Sequence, residues 1–208
     1  MSKGLRGIEA GKTSICTVGE TESDLLYRGY NITDLSQNCV FEEVCFLLLN
    51  GKLPNSLELK DFTKKIFSKR YIPKSLISVL EKIPKETNPM DVLRTSCSFL
   101  GNIEPEKSFD NQIKCAERLL GILPSALNYW YHFSHSGKRI VIENDSESIA
   151  GHFLSTLHGR KATETEEKVM NVSLILYAEH EFNASTFAAR VCAATLSDFY
   201  SCVTGAIG

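Results

Sequence analysis

His180, Asn183 and Ser185 place an imidazole, a carboxamide and a hydroxyl close together, in the run Ala178-Glu179-His180-Glu181-Phe182-Asn183-Ala184-Ser185-Thr186. An imidazole N–H donates a hydrogen bond to a carbonyl or carboxylate oxygen. A nearby Asn amide can donate to the same anion or fix the ring tautomer. A serine at a helix start caps that helix, or orients a catalytic group from a neighbouring segment. The trio therefore suits a cleft for a small anionic ligand. The same residue types also make ordinary helix-end capping, and the residues alone leave both readings open.

Other potential chemistry is weaker. His132 and His135 are three apart, His152 and His158 six apart, and neither pair has the carboxylate or thiolate company of a metal site. His135 precedes Gly137-Lys138-Arg139 and reads as a loop residue, whereas His152 and His158 flank apolar residues and read as partly buried structural groups. No metal is expected. No glycine-rich phosphate loop occurs, and Gly19, Gly29 and Gly51 read as turn residues. Lys64-Lys65 and Lys69-Arg70 read by default as a solvated helix face. The seven cysteines are odd in number, scattered and without a Cys-x-x-Cys pair. They suit reduced thiols among core residues, and a cytoplasm.

The elements that must position the trio follow from composition and periodicity. The 208 residues are 43% hydrophobic, enough for a sizeable core, and carry 23 Lys+Arg against 25 Asp+Glu. That balance gives no basic excess for nucleic acid. Met1 to Gly7 lacks an apolar signal region, and runs such as Phe46-Leu47-Leu48-Leu49 are too short to span a bilayer. Two β-prone runs, 14–18 and 25–30, predict a small hairpin. Helices are predicted after it: 41–50 stopped at Gly51, one capped by Ser56, one opened by Pro73, and one capped by Asn88 with Pro89 at its first position and stopped at Gly101. A long one spans 112–133 with a bend at Pro124, another runs from Ser146 to Leu157 and stops at Gly159, and Thr163 to Glu166 reads as a capping box. A last helical pattern begins near Ser185. The fold class is mostly α with a small β start.

Ordered blocks along nearly the whole chain carry a resemblance: Gly4-Leu5-Arg6-Gly7, Leu26 to Leu35, Phe41-Glu42-Glu43-Val44, Gly51-Lys52-Leu53-Pro54, Pro89 to Thr95, Tyr129-Trp130-Tyr131-His132, Ser148 to Leu154 and Tyr177 to Thr186. Together they resemble the citrate synthase family, and the 129–132 and 177–186 blocks lean toward its 2-methylcitrate synthase branch. Asn88 departs from the His that commonly precedes Pro-Met there; as an N-cap it is structurally neutral.

The resemblance implies a citrate synthase-like large helical domain over residues 1–208, with the small domain absent. It implies condensation of propionyl-CoA with oxaloacetate to 2-methylcitrate, or of acetyl-CoA to citrate, with the coenzyme A thioester as substrate and no resident cofactor. General-base catalysis and hydrogen bonding to an enolate are the physical terms. It implies that His180 and Asn183 bind oxaloacetate, that Ser185 orients a catalytic histidine, that Arg70 lies near substrate, and that Arg6 meets CoA phosphates. No residue here matches the catalytic histidine or aspartate, which the resemblance places beyond Gly208. The expectation is a chain with little turnover of its own. The helical patterns at 89–101, 112–133, 164–177 and 185–208 resemble the family's subunit interface, implying a homodimer. The rival readings are a non-catalytic dimerising or binding homologue and an unrelated helical scaffold.

Overall fold

Arg28 and Gly29 both take positive φ, 50° and 87°. A two-residue hairpin loop with φ > 0 at both positions twists with its flanking strands, and glycine fills the second position without strain. The loop joins β2 (Leu25–Tyr27) to β3 (Tyr30–Asn31) with Tyr27 opposite Tyr30, and β1 (Cys16–Val18) pairs antiparallel on the other side of β2. The expected hairpin is therefore a three-stranded sheet, because the 25–30 run folds back on itself at Arg28-Gly29. The computed structural model describes residues 10–19 and 25–208.

Asn31 ends β3 and accepts the Thr33 N–H at 2.7 Å, opening α1 (Ile32–Asn38), a helix the apolar periodicity did not show. Next come α2 (Phe41–Asn50), α3 (Ser56–Ser68) and α4 (Lys74–Leu80). The α3 cap is Asn55, one residue before the expected Ser56, with Glu58 closing a reciprocal capping box. In α5 (Pro89–Ile103) the Asn88 cap and Pro89 stand as expected, but the helix runs through Gly101. A Cβ there would lie 2.8 Å from the Tyr200 Cβ, so this glycine admits another helix rather than stopping its own.

Pro124 lies inside α6 (Gln112–Ser136), whose last turn contains His135. After α7 (Ile149–His158), Thr163 caps α8 (Glu164–Tyr177) with the expected box to Glu166. The last predicted pattern is in fact two helices, α9 (Ala184–Ala194) and α10 (Phe199–Ile207). Leu196 breaks them at φ 63°, and Asp198 caps the second.

Three apolar clusters hold the helices. Leu76, Leu100, Ile122, Trp130 and Tyr200 join α4, α5, α6 and α10. Cys16, Tyr27, Leu35, Leu47 and Ile175 join the sheet to α1, α2 and α8. Cys45, Phe62, Ile66 and Ile149 fill the space between α2, α3 and α7. Helix α2 serves two clusters from opposite sides, which explains why its sequence is apolar nearly all round. No helix among the described residues is long and apolar enough to cross a membrane.

Candidate functional site

Helix α8 ends where its last carbonyls meet a side chain from the sheet. The Tyr27 hydroxyl lies 3.0 Å from the Ile175 and Glu179 carbonyl oxygens, to either of which its one hydrogen can be donated, and accepts the Glu179 N–H at 3.2 Å. Burial pushes the phenol's pKa up, so it stays a neutral donor. The chain then turns. Glu179 Oε1 accepts the His180 N–H at 2.9 Å, Glu181 takes φ 58°, and Asn183 Oδ1 accepts the Thr186 N–H at 2.8 Å to cap α9. A Cβ at Gly11 would sit 3.4 Å from the Phe182 ring, and Arg190 stacks over that ring at 4.7 Å.

His180 is thus presented at the exposed apex of a connector fixed at both ends. Among the described residues its ring has no hydrogen-bond partner, and the Asn183 amide nitrogen has none either. Ser185 is exposed in the first turn of α9. The three lie on one short segment, the connector and the first turn of α9. Arg6 lies outside the described residues.

Arg70 stands elsewhere, at the N-terminus of α7. It is 6% exposed, so Lys69-Arg70 is not the solvated face expected. Its guanidinium donates to the carbonyls of Ser146, Glu147 (3.2 Å) and Ser148 (2.8 Å) and covers the Phe67 ring at 4.7 Å. Burial lowers its pKa to about 10, with Glu42 opposing that shift. Glu42, 3% exposed, accepts the Ile149 N–H at 2.6 Å, the kind of bond a helix N-terminus offers an acid. Desolvation raises the Glu42 pKa and that bond opposes the rise. These groups fix the start of α7, and among the described residues no hydrogen bond ties Arg70 to the His180 connector.

The other histidines divide. His152 is 1% exposed, more deeply buried than expected, whereas His158 is exposed. His132 Nε2 lies 3.1 and 2.9 Å from the Thr156 and Leu157 carbonyls, so it ties α6 to the end of α7. A cavity of about 810 Å³ beside it is walled by Lys138, Arg139, Ser148, Arg160 and Lys161, well away in the chain from His180. All seven cysteines are free thiols. Among the described residues no cluster of His, Cys, Asp or Glu is arranged to hold a metal.

A helical body with a small N-terminal sheet, and a histidine held between two helices near the end of the chain, define a known class. The family model described as citrate synthase, C-terminal domain, matches residues 4–208. The chain belongs to the citrate synthase family. It is 56% identical over 205 residues to a 2-methylcitrate synthase of Shewanella oneidensis, covering 99% of this chain and 55% of that one. Among solved structures, citrate synthase of Thermoplasma acidophilum, in a ternary complex with carboxymethyl coenzyme A and oxaloacetate, superposes with a TM-score of 0.89 at 30% identity. Citrate synthase of Thermotoga maritima does so at 0.86 and 32%; each match covers 100% of this chain and 55% of the other. The chain spans about half the length of the curated relatives it matches.

Proposed function

We propose that the chain forms the oxaloacetate-holding part of a C-acyltransferase whose whole reaction condenses propionyl-CoA with oxaloacetate to 2-methylcitrate. The observation that carries this is the His180 connector: its backbone is bonded at both ends while its imidazole and the Asn183 amide are left without partners among the described residues. Such groups are available to a ligand. His180 donates to the keto or carboxylate oxygen of oxaloacetate and polarises it, Asn183 Nδ2 donates to the same dianion, and Ser185 orients a catalytic group brought up to α9. Arg6, by its type, suits the phosphates of coenzyme A. The 56% identity to a 2-methylcitrate synthase supports propionyl-CoA over acetyl-CoA, and the acetyl-CoA reaction is the alternative within the same family. A reducing cytoplasm suits the free thiols.

Titrating oxaloacetate into the 208-residue chain in a calorimeter tests the assignment. Saturable binding is expected, weakened at least about tenfold by His180→Ala, the scale of one lost hydrogen bond to a charged group. Equal affinity in the variant, or no binding by the parent chain, would overturn it.

A second reading concerns assembly. Val169 and Tyr177 on α8 are 62% and 90% exposed, Leu196 is 76% exposed, and α9 buries no residue. Exposed apolar residues on α8 and just after α9 favour association with a second copy of the chain.

A further inference from the structure

We infer that Tyr27 is a positioning residue for His180. The inference rests on the proposal that His180 holds the keto acid. Tyr27 is 0% exposed on β2, packed with Cys16, Leu35, Val44, Leu47 and Ile175. Its ring is therefore fixed by the sheet-side core, and only its hydroxyl reaches the functional segment.

That hydroxyl meets the chain where regular structure ends. The last carbonyls of a helix have no partner within it. The hydroxyl takes the Ile175 carbonyl at 3.0 Å and approaches that of Leu176 at 3.5 Å. It also contacts both backbone polar groups of Glu179, the residue immediately before His180. The Ile175 carbonyl also accepts the Ala178 N–H at 3.2 Å, so the hydroxyl shares in ending α8 and fixes the peptide from which His180 departs. The connector is consequently referenced to the sheet at the residue before the imidazole, and the left-handed turn at Glu181 follows directly after it.

A side chain bonded to the histidine's own neighbour determines where the ring stands without touching substrate. Removing the hydroxyl leaves the Tyr27 ring and its packing intact, so Tyr27→Phe tests position more than folding. Tyr129→Phe is the matched control. Tyr129 is 4% exposed, in the cluster with α4, α5 and α10, and its hydroxyl bonds Glu81 at 2.7 Å. Three quantities are read on the full chain: the thermal midpoint, amide hydrogen exchange at residues 178–183, and oxaloacetate affinity by calorimetry.

Comparable losses in midpoint are expected for the two variants. Only Tyr27→Phe should speed exchange at Glu179 and His180, and only it should weaken oxaloacetate, each by about tenfold. Unchanged exchange at Glu179 and His180 in Tyr27→Phe overturns the inference, as does an equal loss of affinity in Tyr129→Phe. If the parent chain binds no oxaloacetate, the functional proposal fails by itself, and the exchange data still decide whether Tyr27 positions His180.

Discussion

His152 shows how far a single side chain can be committed to one charge state. Asn144 Nδ2 donates to its Nδ1 at 2.9 Å, so Nε2 carries the proton and donates to Ser125 Oγ at 2.8 Å. Desolvation, with the Arg70 charge adding to it, lowers the pKa of this histidine to about 3 from the ordinary 6.5. The folded value lies below the unfolded one, so on acidification the unfolded chain takes up the proton first. The stability held in neutral His152 is complete above pH 6.5 and is lost as pH falls from there toward 3. Glu42 acts in the opposite sense: its folded pKa is raised, so it lessens the loss on the acid side. Urea unfolding at pH 7.5 and pH 5 should show the parent chain losing about 2 kcal/mol more than His152→Gln over that interval. Equal losses in the two would mean that the imidazole is not held neutral.

At the scale of elements, the contact between α3 and α6 depends on Gly121. A Cβ there would lie 2.7 Å from the Ile66 carbonyl oxygen and 3.0 Å from the Lys69 backbone, atoms that cannot rotate away. Arg118, on the same stretch of α6, donates to the Lys69 carbonyl and to Tyr71 O at 3.0 Å and pairs with Glu104 at 2.7 and 2.9 Å. Gly121→Ala gains about 1 kcal/mol of helix propensity, but overpacking costs about 1–3 kcal/mol. A net loss of up to about 2 kcal/mol in urea unfolding is expected, and a stabilised variant would show that the two helices can separate freely. Neither the Gly121 contact nor the Gly101 contact with Tyr200 could be read from the sequence, because glycine in a helical pattern looks the same whether it stops the helix or admits a neighbour. What was legible is local chemistry: the Asn88 and Thr163 caps and the stops at Gly51 and Gly159. Missed were α1, which is too short to show a period, and the break at Leu196, where an apolar residue takes a left-handed turn. The candidate site divides the same way. His180, Asn183 and Ser185 stand out by type and spacing. Tyr27 meets Glu179 across 152 positions of chain, which no local pattern encodes.

For the molecule as a whole, the three apolar clusters do not treat the helices equally. Helix α6 buries residues along most of its length, from Cys115 to Trp130, whereas α9 buries none although Phe187, Ala188, Ala189, Val191, Ala193 and Ala194 make much of it apolar. Helix α9 begins at the Asn183 cap, so the segment that carries the proposed substrate groups is attached to the least covered helix. Segments with few buried contacts open locally at low cost, and their amides exchange early. Amides of α9 should therefore exchange well before those of α6 in dilute chain. If a second copy covers Val191 (52% exposed) and Leu196 on and just after α9, two changes should appear together as concentration rises into the micromolar range. Sedimentation should shift to twice the monomer mass, and exchange in α9 should slow while that in α6 stays as it was. A chain that remains monomeric, with α9 as protected as α6 at every concentration, would show that α9 needs no partner.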